Sequence, residues 1–205
     1  MARAEREGVA LGFRVHTGWA AMVAIEGAPP ATGLLDRRRI ELVPAGGDIP
    51  RFAYHEASER EFSLASQLVR RVQETARELA AQAVRQVVEE LGTAGRRVVA
   101  AGVPAGATRV PEDLKSILAS HALIHAAEGE LFRQALVSAS ERQGLRVLLV
   151  RERDLWTRAA TEWAMAMDAL QQQMKAVGKR AGPPWSQDQK TAAAAALAAL
   201  AQARR

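Results

Sequence analysis

A chain of 205 residues, 48% of them apolar and 25% charged, can bury one sizeable core and is short for two ordinary domains, so 1–205 is read as a single domain. It has no cysteine, which excludes disulfides, thiolate metal sites and cysteine nucleophiles and suits a reducing cytoplasm. No window approaches the roughly 18 apolar residues a membrane helix needs, and the first seven residues carry acids and no apolar stretch, so a cytosolic protein with no membrane partner is expected.

Val9, Leu11, Phe13 and Val15 alternate with Ala10, Gly12, Arg14 and His16, the period of a strand with one buried face. Thr17 and Gly18 turn the chain into a second apolar strand over 19–25. A third strand over 34–43 carries Asp36, Arg37, Arg38, Arg39 and Glu41, charges that suit a sheet edge. These three strands form an antiparallel meander. Ser58 and Glu61 have the spacing of a capping box, and the stripe Phe62, Ala65, Leu68, Val69, Val72, Ala76, Leu79, Ala83, Val87 and Leu91 predicts a helix over 58–92, ended by Gly92. At about 1.5 Å per residue it is roughly 50 Å long, more than a small sheet covers. Its spare length is expected to meet a partner, a second copy of the chain included.

A strand over 98–103, a helix over 112–142 and a strand over 145–150 follow with short links, the order of a parallel crossover unit. The segment 154–205 is helical: a helix over 154–177 stopped by Gly178, a rigid Gly182, Pro183, Pro184 break, and an alanine-rich helix over 187–203 capped by Ser186 and Gln189. With so much of the apolar count in alanine, the helices should pack closely around few large side chains.

Three antiparallel strands, then helix, strand, helix, strand and C-terminal helices: this α/β order resembles the ribonuclease-H-like architecture shared by ribonuclease H, RuvC-type junction resolvases and actin-like ATPases. Residues 120–133 and 182–190 are also similar to signature segments of a bacterial protein family, which implies no activity. The nuclease resemblance implies acids on the first strand, near the end of the fourth and on a later helix, holding two metal ions. Here the first strand ends in His16, Thr17 and Gly18, the fourth in Gly102, Val103 and Pro104, and only Asp188 stands where such a carboxylate is expected. The actin-like phosphate loop needs an Asp before its glycine and hydroxyl residues, and that acid is missing too. A ribonuclease-H-like binding domain without the usual metal-binding acids is the reading that fits.

Two places carry candidate chemistry. His121 and His125 are four apart and Glu128 is three further on, so all three share one helical face beside the stripe of Ile117, Ile124, Leu131 and Ala135, where they should be at least half buried. Two imidazoles one turn apart with a carboxylate suit a divalent metal, or a hydrolase site with or without one, though Ala122 stands where zincins keep their glutamate. The plainer reading is a polar network in which these groups satisfy one another. The second place is 182–190. Trp185 precedes the positive end of a helix and could stack on a base, with Lys179, Arg180 or Lys190 on a phosphate and Asp188 beside them; the plainer reading is a capped helix with Trp185 plugging the core. Basic pairs and triplets at Arg37 to Arg39, Arg70 and Arg71, Arg96 and Arg97, Lys179 and Arg180, and Arg204 and Arg205 could attract nucleic acid or another phosphate-bearing partner, or be solvated ends of elements. His16 reads as a turn residue and His55 as a loop residue. No Walker loop, dinucleotide fingerprint, nucleophile elbow, helix-turn-helix or zinc-finger spacing is present, and no cofactor beyond a divalent metal is indicated.

Overall fold

The computed structural model describes residues 8–205; the expectation drawn from the first seven lies outside them. A five-stranded sheet is built from β1 (Val9–His16), β2 (Trp19–Glu26), β3 (Gly33–Glu41), β4 (Val98–Ala105) and β5 (Arg146–Arg151), in the order β3-β2-β1-β4-β5. The β1–β2 and β2–β3 pairs are antiparallel, whereas β1–β4 and β4–β5 are parallel. The charged third strand is an edge, as its residues predict.

Alternation along β1 divides the core. Val9, Leu11 and Phe13 face one layer with Val72, Ala76, Val84, Phe132 and Leu136, from α2 (Phe62–Thr93) and α4 (His121–Arg142), and with α1 (Ala53–Ser58). Ala10, Val23 and Ile25 face the other, made by α5 (Leu155–Glu162), α6 (Met167–Ala181) and α7 (Gln187–Ala203). Buried on every side from Ala192 to Ala201, α7 lies flat on the sheet. A Cβ on Gly12 would fall 1.8 Å from the carbonyl oxygen of Ala192, and one on Gly102 would fall 2.1 Å from that of Ala195. Alanine on the helix and glycine on the strands are two halves of one close approach.

Several boundaries differ from the sequence expectation. Ser58 does not cap the long helix. It ends α1, its hydroxyl donating to the carbonyl of His55 (2.6 Å), and Glu61 caps α2 by accepting from the amide of Ser63 (3.0 Å). Gly92 lies inside α2, and the chain turns away at Gly95, where φ is +73°. The helix expected over 112–142 is two: α3 (Leu114–Leu118), capped by Asp113, and α4, entered from Ser120. The helix expected over 154–177 starts with a 3-10 turn (Glu152–Asp154), breaks at Ala164 (φ +50°) and continues past Gly178. Gly178 is there for packing: a Cβ would meet the Trp185 ring at 2.1 Å.

The α2 stripe is buried within its own chain from Ala65 to Leu91, because α1 and α4 cover what the sheet cannot reach. The spare length that suggested self-association is therefore accounted for internally. Among the described residues no helix is long and apolar enough to cross a membrane.

Candidate functional site

In α1 the amides of the first turn have no capping side chain of their own, since Phe52 occupies the N-cap position. The missing acceptor comes from α4. Oε1 of Glu128 accepts from the amides of Tyr54 (2.8 Å) and His55 (3.1 Å) and lies 3.2 Å from Nδ1 of His55. Glu128 is 3% exposed, and burial pushes its carboxyl above the ordinary carboxylate range, only partly offset by the hydrogen bonds from His55 and Tyr54. Its second oxygen, Oε2, is buried with no hydrogen-bond partner.

This remote cap sets His55 against the start of α4. His121 and His125 meet through their Nε2 atoms at 2.9 Å. The His55 ring centre is 5.7 Å from that of His121 and 4.6 Å from that of His125, and the three ring planes cross at 67° to 87°. One nitrogen from each imidazole lies within 4.8 Å of the others, a spacing from which three side chains could hold a metal ion. Phe52, 54% exposed, sets its ring edge against His55.

Sequence reasoning brought His121 and His125 together but treated His55 as an unremarkable loop residue. It is the third member, and Glu128 serves it and not the pair on α4. Contrary to the expected half-burial, His121 and His125 are exposed, because α4 begins only at His121 and its first turn lies at the surface. A short segment around Tyr54 that reads as helix without a cap residue was the available signal.

The region 182–190 disperses. Asp188 Oδ1 accepts from Arg14 Nη1 (2.5 Å) and lies 2.9 Å from His16 Nε2, while Arg14 also reaches Glu152 (3.0 Å). Burial raises the Asp188 carboxyl, but the hydrogen bonds from His16 and Arg14 outweigh it and hold it below its ordinary value. His16, stacked on Trp19, is therefore part of an ionic cluster and more than a turn residue. Trp185 lies against Gly178, and Lys190 lines a groove of about 420 Å³ with Trp156, Lys175 and Gln187. Lys179 and Arg180 stand exposed in the last turn of α6. No hydrogen bond or ion pair joins these five side chains among the described residues.

The basic triplet on β3 is also spent internally. Arg37 donates to the carbonyls of Ala181, Gly182, Pro183 and Pro184. Arg38 pairs with Asp36 and Glu90, and Arg39 pairs with Glu41 and lies over the Trp19 ring. Arg109 and Arg151 are exposed and have no carboxylate partner among the described residues. They line adjoining grooves of about 400 and 690 Å³ that share Ala105, Gly106, Leu149 and Arg151 where β4 and β5 end, with Arg133 and Arg158 beside them. Arg133 is held by Glu130 (2.9 Å), the i,i+3 pair its spacing predicts, and packs against Gly129 and Gly106.

The overall fold has counterparts among solved structures. The chain is similar to a Thermus thermophilus RuvC structure at 14% identity and a TM-score of 0.51, covering 96% of this chain and 95% of that one. A structure of T. thermophilus RuvC in complex with a Holliday junction substrate gives a TM-score of 0.52 with the same identity and coverage. The fold is that of RuvC. Neither a protein-family model nor a curated protein matches the chain. Asp188, which stands where the ribonuclease-H-like resemblance implies a carboxylate, is paired with the guanidinium of Arg14 on β1.

Proposed function

We propose that this chain is a ribonuclease-H-like domain that binds nucleic acid through its phosphates and does not cut it by two-metal chemistry. The observation that carries the reading is the pair of unpaired arginines, Arg109 and Arg151, in the grooves at the carboxyl ends of β4 and β5. In open α/β sheets the crevice beyond the carboxyl ends of parallel strands is the usual ligand site, and an unpaired guanidinium there is free to take a phosphate in bidentate fashion. The Arg14–Asp188 pair supports the second half of the reading, because a carboxylate already neutralised by a part-buried cation is a poor magnesium ligand.

The test is fluorescence anisotropy with labelled single-stranded and branched DNA, from low to physiological salt. Binding is expected to weaken steeply with salt, and Arg109→Ala with Arg151→Ala should lower the slope by about two. Absence of binding at low salt, or a double variant with unchanged affinity, overturns the reading; magnesium-dependent cleavage overturns its second half.

A second reading is hydrolysis by His121, His125 and Glu128, with or without a divalent metal. It draws on the meeting of the two imidazoles and the buried carboxylate one turn away. Its test is hydrolysis of phosphodiester and ester substrates with zinc or manganese, abolished in His125→Ala.

A further inference from the structure

We propose that His55, His121 and His125 form a three-imidazole site for a first-row divalent transition metal of the zinc class, with Glu128 as the group that orients His55. The site stands on metal binding alone, whether or not the chain hydrolyses anything or binds nucleic acid.

Four observations converge. The first is distance. A tetrahedral metal with metal–nitrogen bonds of about 2.0–2.1 Å holds its ligand nitrogens roughly 3.3 Å apart. His121 and His125 already stand at 2.9 Å, and all three nitrogens fall within 4.8 Å of one another. Small side-chain rotations, two of them on exposed residues, bring the three to equal spacing.

The second is ring orientation. The planes cross at 67° to 87° and do not stack. Crossed rings leave their edges, which carry the nitrogens, free to converge, as stacked rings would not.

The third is Glu128. Nδ1 of His55 faces Oε1 of Glu128 at 3.2 Å, and an ionised carboxylate can only accept, so with Glu128 ionised the imidazole proton sits on Nδ1 and the lone pair on Nε2. Metal-bound histidines are usually fixed in this way by a carboxylate or carbonyl behind them. The backbone bonds from Tyr54 and His55 hold the same oxygen in place, so tautomer and backbone position are set together.

The fourth is charge. The start of α4 carries the positive end of a helix dipole, equivalent to about half a unit charge, which works against a cation there. A buried carboxylate with one unpartnered oxygen, two turns into the helix, opposes it with up to a full negative charge.

Three protein ligands leave the fourth position open, and the exposure of His121 and His125 turns that position to solvent. Imidazole ligands favour zinc, copper, nickel or iron over magnesium and calcium, which take oxygen donors. The ligand class therefore differs from the metal ions of ribonuclease-H-like nucleases.

The experiment is titration of the metal-free full chain with cobalt(II) by visible absorption, and with zinc in competition against a chromophoric chelator. One equivalent is expected, with the intense visible bands of low-coordinate cobalt and no displacement by excess magnesium. Glu128→Gln should weaken zinc by about 10–100-fold, and removal of any one of the three imidazoles should weaken it further. Circular dichroism checks the folding of each variant; His121→Ala and His125→Ala, at exposed positions, should remain folded even if His55→Ala does not. Wild type no tighter than the His121→Ala/His125→Ala double variant overturns the proposal. So does a folded His55→Ala that binds as well as wild type, since the metal would then sit on a simple two-histidine chelate.

Discussion

His55 and Glu128 are seventy-three residues apart in sequence, and a single carboxylate oxygen of Glu128 takes the ring nitrogen of His55 at 3.2 Å and its backbone amide at 3.1 Å. The contact fixes both ends of the residue, the main chain through helix capping and the ring through its tautomer. A buried acid that would otherwise be a burden on stability thereby ties α1 to α4.

Glu128→Gln and Glu128→Ala should part ways in chelator-containing buffer. The glutamine oxygen can still accept from Tyr54 and His55, whereas alanine strands both amides at a cost of about 1–3 kcal/mol. Because burial holds the Glu128 carboxyl above its ordinary value of 4.5, its stabilising contribution is complete below 4.5 and is lost as pH rises through the raised value. Glu128→Gln should thus melt at or above the wild-type temperature at neutral pH, with the gain fading in acid. Equal destabilisation of the two variants would contradict the remote-cap role.

The Arg14–Asp188 pair works in the opposite direction. Its carboxyl sits below the ordinary value of 3.8 on balance, so its contribution is present above 3.8 and lost as pH falls through the depressed value. Arg14→Met should cost about 1 kcal/mol in urea unfolding at neutral pH, and the difference from wild type should close in acid below 3.8. A difference that persists unchanged into that range would mean that Arg14 acts through packing.

Glycines separate by what stands over them. Gly12→Ala and Gly102→Ala drive a methyl group into the backbone of α7 at 1.8 and 2.1 Å, and each should cost about 3 kcal/mol or more, or prevent soluble expression. Gly92→Ala meets nothing within 4 Å inside α2 and should stabilise by up to about 1 kcal/mol. Urea melts of the three variants check this, and a mild Gly12→Ala would mean that α7 stands further from the sheet.

Strand alternation and the glycine and proline punctuation made the sheet legible: β2 is buried on both faces as its apolar run predicts, and β3 sits on an edge as its charges predict, but β1, read as burying one face, is buried on both from Val9 to Phe13 because α7 covers its other side. The extent of α7 followed from its capping pair and alanine content. Helix breaks at Ala119 to Ser120 and near Ala164 were invisible, because neither carries a proline or glycine and tertiary packing decides them. Two of the three imidazoles shared a helix and so a detectable spacing. The third came from a separate helix joined by a side chain distant in sequence, and periodicity carries no signal for such a contact. Charge clusters misled for a related reason: Arg37, Arg38 and Arg39 are adjacent, but each is taken up by a different part of the fold.

The grip of Arg37 on residues 181–184 has an uneven mutational signature. All four acceptors are main-chain carbonyls, which every amino acid supplies, so no substitution in that turn deletes an acceptor. The donor has no such latitude. Lysine offers a compact charge in place of a planar five-donor fork and cannot span four carbonyls at once. Tolerance at this junction is therefore one-sided: drift can accumulate in the turn before Trp185 as long as its backbone path is kept, while position 37 on the opposite layer stays bound to a single residue type.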